Sequence, residues 1–223
     1  MINLDAPDGE EAGYYATFSL PEWLAAPGEF KATLTKLARG RYHEIDQDPS
    51  AQVLEGAFFS VIGLLMADTD GATAHRRVVW LGLSLAFAAQ WPLRRSPEQF
   101  ERCGAVRESV LSWLKTGKRP SAPIGEALFP MVHTGVQELN EAISVHRGLS
   151  RMPSQISSSA TILLELLDLT LDGFAIRPGT DGARDIFHWW LGQAVPAAFM
   201  ERLPDHVWNG SWAWPPRQAG GVV

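Results

Sequence analysis

The sequence predicts an all-α protein, a single-domain bundle of several helices paired as antiparallel hairpins. Three observations predict it. Apolar residues recur at spacings of three and four in one segment after another. No segment sustains the strict alternation of a half-buried strand, and residues that start and stop helices stand where the periodic segments begin and end. Only Gly13 to Leu20 and Gly173 to Pro178 could hold short extended pieces. The chain has 223 residues, 46% of them hydrophobic, which is enough to bury a sizeable core.

The helices can be justified in order. Pro21 to Ala38 reads as a helix broken at Pro27-Gly28. Asp48-Pro49 supplies an N-cap and a proline at the first helical position, and Val53, Leu54, Ala57, Phe58, Val61, Ile62 and Leu65 then form one broad apolar face. A second apolar run spans Val78 to Leu93. Ser96-Pro97-Glu98-Gln99 has the form of a capping box, with Phe100, Cys103, Val106, Val110 and Leu114 following at helical spacing and Gly117 closing the segment. Ile124, Leu128, Val132, Val136, Leu139 and Ile143 make a single stripe, with a kink expected at Pro130. Thr161 to Leu171 is apolar nearly all round, which predicts a central helix. Asp185 to Met200 makes another helix, bent at Pro196.

The turn-rich stretch from Lys115 to Pro123 is short enough to be an ordinary connection between helices, so one domain is expected over residues 1–223. Residues 1–18 and 209–223 are expected to be irregular ends. Neither apolar run, Val53 to Ala67 or Val78 to Leu93, reaches the roughly 18 residues of a membrane span, and both suit buried helices. The acidic start MINLDAPDGEE lacks the form of a signal peptide, and a cytoplasmic protein is expected. Arginine in excess over lysine, with much Ala, Gly and Pro, suits a GC-rich bacterial gene. Cys103 is the only cysteine, so neither a disulfide framework nor a cysteine-based zinc site is available.

Patterns that suggest chemistry dissolve on inspection. Thr69-Asp70-Gly71-Ala72 and Thr180-Asp181-Gly182-Ala183 are twin strings, each followed by Trp-Leu-Gly. A calcium loop beginning at Asp68 would need glycine sixth and glutamate twelfth, where Thr73 and Val79 stand. Helix capping by Asp70 and Asp181 explains both strings, and their spacing would suit a duplicated helical hairpin. His43-Glu44 lacks a second histidine four residues on. Gly82 to Ala86 approximates a nucleophile elbow but falls in mid-helix. Asp185 and His188 share a helical face without a third partner, and a half-buried, hydrogen-bonded histidine is the simpler account. Cys103 reads as a small buried hydrophobe. No catalytic residue, metal site or cofactor site is assigned.

Charge is more informative. A net charge of −6 disfavours direct nucleic-acid binding and favours a cationic partner. Glu44, Asp46 and Asp48 form a short acidic run before a helix. Glu165, Asp168 and Asp172 stand at i, i+3 and i+7 on one helical face. Two accounts of that face stay open: a solvated edge of a core helix, or a docking strip for a basic protein. Trp208, Trp212 and Trp214 near the C-terminus could anchor an interface or pack on the chain's own core.

ALFPMVHTGVQELNEAISVHRGL from Ala127, LLELLDLTLDGFAI from Leu163 and LPDHVWNGSW from Leu203 resemble stretches of the immunity protein 49 family of bacterial polymorphic-toxin systems. The resemblance covers the C-terminal half and implies a helical, non-enzymatic protein that binds and neutralises a cognate toxin. A basic toxin would suit the negative charge, with Glu44, Asp46, Asp48, Glu165, Asp168, Asp172, Trp208 and Trp212 as candidate contacts. Two rival readings remain: an adaptor subunit of a bacterial assembly such as a phage-defence complex, and a small helical enzyme or ligand-binding bundle built around Asp185 and His188.

Overall fold

The computed structural model describes residues 18–47, 51–118, 136–174 and 187–207. The fold is all-α, and no strand occurs among the described residues. In chain order the helices are α1 (Gly28–Gln47), α2 (Ala51–Met66), α3 (Gly71–Ala88), the single turn α4 (Gln90–Leu93), α5 (Pro97–Thr116), α6 (Gln137–Arg151), α7 (Ser159–Phe174) and α8 (Val195–Phe199). Two 3-10 turns, Met152–Ser154 and Ile156–Ser158, join α6 to α7, and a π-helical stretch, Trp190–Ala194, leads into α8. One continuous cluster of buried apolar side chains runs from Phe18 to Ala198. No described helix is long and apolar enough to cross a membrane.

The helix at the centre of the fold is α3, which holds most of the second apolar run. It packs against α2, α5, α6, α7 and α8, and every residue from Val78 to Ala86 is buried. The Thr161–Leu171 stretch lies in α7, which packs mainly on α6 and α3 but turns Thr161, Glu165 and Asp168 to solvent. α3 opens with the polar residues His75, Arg76 and Arg77 ahead of its apolar run. Each of those side chains has a tertiary role. His75 Nε2 donates to the Met152 carbonyl at 2.9 Å, Arg76 pairs with Glu201, and Arg77 lies over the Phe199 ring.

Helix starts and stops follow local chemistry. Asp70, extended at φ −71° and ψ 158°, accepts hydrogen bonds from the Ala72 and Thr73 amides and from the Thr73 hydroxyl. It is the N-cap expected of the first Thr-Asp-Gly-Ala string, and those bonds, Thr73's amide foremost, hold its carboxyl below the ordinary range. Asp68 occupies the left-handed region at φ 51°, a conformation that aspartate tolerates in a turn. Gly117, at φ 69°, ends α5 by donating its amide to the Trp113 carbonyl. Ser96 and Pro97 do begin α5, yet the Ser96 side chain makes no capping bond and Gln99 is buried, so the expected capping box does not form.

Other expectations need adjustment. Pro21 to Pro27 is not helical; it carries a turn closed by the Leu24 amide on the Pro21 carbonyl, and one helix then runs from Gly28 to Gln47. The apolar pattern thins beyond Ala38, which hid that extension. Phe18 to Leu20 is irregular, and Gly173 and Phe174 finish α7. Of the stripe expected from Ile124, Ile124, Leu128 and Val132 lie outside the described residues; Val136 is an exposed N-cap residue, and the buried face of α6 begins at Leu139. Pro130, Asp48-Pro49, Asp181 and Asp185 lie outside the described residues. Just before Pro196, where a bend is expected, the helix is π-wound over Trp190–Ala194. Proline has no N–H to give the fourth carbonyl back, and the preceding residue, Val195, donates instead to the fifth, on Trp190.

At two glycines a neighbouring side chain packs directly onto the helix where a Cβ would stand. A Cβ on Gly82 would lie 2.6 Å from the Met152 sulfur, and one on Gly148 would lie 2.6 Å from Leu166 Cδ2. Gly192, the glycine of the second Trp-Leu-Gly, has no such crowding, with its nearest neighbour at 3.5 Å. The two Trp-Leu-Gly strings therefore play different roles, one in an α-helix and one in a π-helical stretch. Gly148→Val is expected to lower unfolding free energy by about 1–3 kcal/mol through overpacking. Gly63→Ala, at an exposed position of α2 with open space around it, is expected to raise it by up to about 1 kcal/mol. Urea unfolding of both variants checks this pair of opposite signs.

Candidate functional site

Two residues of the expected acidic face, Glu165 and Asp168, lie on α7. Ile162, Leu163, Leu166, Leu167 and Thr170 point into the core, and the Thr170 hydroxyl donates to the Leu166 carbonyl. Fixing that face inward forces the positions between them outward, and Glu165 and Asp168 are both exposed. Neither forms an ion pair with a described residue. They stand three apart on one side of the helix and present two carboxylates to solvent from a rigid support. Asp172 belongs to the same helix, but its side chain lies outside the description.

The other candidates are not brought to this face by anything described. Glu44 and Asp46 fall in the last turns of α1, and their side chains lie outside the description. Asp48, Trp208, Trp212 and Trp214 lie outside the described residues altogether. The chain just before Trp208 is tied down: Trp189 Nε1 donates to the His206 carbonyl at 2.6 Å, Arg202 pairs with Asp205, and Arg202 also lies over the Trp23 ring. His188 is fully buried and meets the Phe18 ring. Among the described residues no group of three or more His, Cys, Asp and Glu side chains is disposed to hold a metal ion.

A polar cluster that the sequence reading missed lies between α5 and α6. Arg107 is 5% exposed and His146 fully buried. Arg107 Nη1 donates to His146 Nε2 at 2.7 Å, and His146 Nδ1 donates to the Ala142 carbonyl at 2.7 Å. The bonding pattern requires a neutral imidazole with its proton on Nδ1. Burial above all, then the neighbouring guanidinium, pushes the His146 pKa down to about 3. Phe87 and Phe100 lie 5.3 and 5.6 Å from the guanidinium carbon. Cys103, one turn before Arg107, is fully buried, and burial pushes its thiol up to about 12. The signal was present in the sequence: Arg107 and His146 each interrupt an apolar stripe at a core-facing position.

Comparison of the chain with protein-family models, with curated proteins and with solved structures finds no match to any of them. The geometry of the chain itself therefore carries the functional reading.

The buried histidine predicts acid sensitivity with a definite sign. His146 stays neutral in the fold to about pH 3, whereas in the unfolded chain it takes a proton near pH 6.5. Its contribution is complete above pH 6.5 and is lost progressively as pH falls toward 3, by up to about 5 kcal/mol. Urea midpoints measured from pH 7 to pH 4 should fall steeply for the wild type and less steeply for His146→Gln. The thiol supplies a second readout. Cys103 should resist iodoacetamide in the folded protein at pH 8 and react once the chain is unfolded in urea.

Proposed function

We propose that the protein is a non-enzymatic immunity protein that neutralises a basic bacterial toxin by docking the acidic face of α7 against it. The observation that carries this reading is the pair Glu165 and Asp168, exposed on a helix whose opposite face is locked into the core. Like charges side by side on a helix cost stability unless solvent or a cation offsets them, and a cationic partner gains from both at once. The net charge of −6 extends the same attraction over the whole molecule and would speed encounter with a basic surface. The resemblance of the C-terminal half to the immunity protein 49 family points the same way. In this reading the complex forms in the cytoplasm of the producing cell, and Trp208 and Trp212 are candidate apolar contacts.

The test is co-expression with the product of the reading frame directly upstream of the gene, read by cell growth and by co-purification. The wild-type chain should restore growth and hold the partner, more tightly at 50 mM than at 500 mM NaCl. Glu165→Lys with Asp168→Lys should weaken the complex by about tenfold or more at low salt while preserving the helical circular-dichroism spectrum. Glu165→Gln with Asp168→Asn should give an intermediate loss. A complex of unchanged affinity in the reversed variant would remove α7 from the interface.

A further inference from the structure

Arg107 is a cation in a place where cations are expensive. Only 5% of its surface is accessible, and no carboxylate of a described residue forms an ion pair with it. Among the described residues its hydrogen-bond partner is His146, which offers a lone pair and no charge. Buried guanidinium groups are ordinarily matched by an anion, because the desolvation of the charge is otherwise uncompensated. Of its five N–H donors, one serves His146. Burial lowers the Arg107 pKa, and the exposed Glu108 next in sequence opposes this only through space.

The helix leaves a way in. Gly104 stands three residues before Arg107 on α5 and is partly exposed. A Cβ built on Gly104 would meet a single atom within 4 Å, the Arg107 Nη2, at 3.7 Å. The space that a side chain at Gly104 would take thus begins beside a guanidinium nitrogen, and we read it as a notch in the surface of α5. Phe87 and Phe100 flank the same group and restrict its motion. Their rings also lower the local dielectric, which strengthens any charge contact formed there. A donor held in one orientation and reached from outside is the arrangement that recognises an oxyanion.

We propose that Arg107, reached through the notch at Gly104, binds a small oxyanion, a carboxylate or a phosphate, with Nη2 as the leading donor. The site lies on α5 and does not depend on the acidic face of α7. The bound anion supplies the negative charge that the surrounding described residues do not, and it ties α5 more firmly to α6 through Arg107 and His146.

Thermal unfolding of the full chain tests this, with sodium phosphate in one arm and sodium acetate in the other replacing sodium chloride at fixed ionic strength. At saturation at least one anion should raise Tm by about 2–4 °C over chloride. The arm that responds identifies the chemistry. Gly104→Leu fills the notch while keeping Arg107 and improving helix propensity, and it should lose the response. Arg107→Met should lose it too; if that variant does not fold, Gly104→Leu decides alone. In wild-type protein the same anion should move the His146 ring signals in the NMR spectrum. Two results would overturn the proposal: neither anion shifts the wild-type Tm beyond chloride, or Gly104→Leu responds as the wild type does.

Discussion

The rest of the structure depends on how closely α3 can approach the α6–α7 pair. At Gly82 the Met152 sulfur occupies the space where a side chain would begin, and at Gly148 the Leu166 side chain does the same. The first joins α3 to the turn after α6 and to α7, and the second joins α6 to α7. Met152 packs its side chain onto α3 and also accepts the His75 hydrogen bond from α3, so the end of α6 is held by packing and by polarity at one residue. With α6 fixed, His146 meets Arg107 on α5. With α7 fixed by Leu166, its remaining face can only look outward. The outward face of α7 is thus set by the burial of Ile162, Leu163, Leu166 and Leu167 on its other side.

Much of the helical framework was legible because the signals were local. Asp70 caps α3 through a side chain two and three residues from the amides it satisfies, and Gly117 ends α5 through its own left-handed conformation. The apolar faces of α2 and α5 were readable for the same reason: Phe58, Val61, Ile62 and Leu65, and Cys103, Val106, Val110 and Leu114, repeat within a single helix. What was not legible depended on tertiary partners. α3 is central although it begins with His75, Arg76 and Arg77, because Met152, Glu201 and Phe199 receive those side chains from distant parts of the chain. Val136 fits the helical stripe by spacing, yet it serves as an exposed N-cap.

The same division applies to function. Periodicity alone put Glu165 and Asp168 on one side of α7, and their exposure follows once Leu163 and Leu167 are buried. Spacing within α5 and α6 could flag Arg107 and His146 as polar residues on apolar stripes but could not show that they meet. The interior polar groups and the surface charges act in opposite ways. Inside, His146 is kept neutral and Cys103 protonated by burial. Outside, carboxylates stay solvated and available. A partner selected by charge would read the second set without disturbing the first.

Native-state hydrogen exchange tests the central place of α3 most directly. If the close approach at Gly82 and Gly148 organises the whole cluster, amides from Val78 to Ala86 open only with global unfolding, together with those of Ala142 to Leu149 and Ile162 to Leu167. Amides in the outer α2 and α5 then exchange by smaller openings. Slower exchange in α2 or α5 than in α3, or α3 opening separately from α6 and α7, would contradict the account.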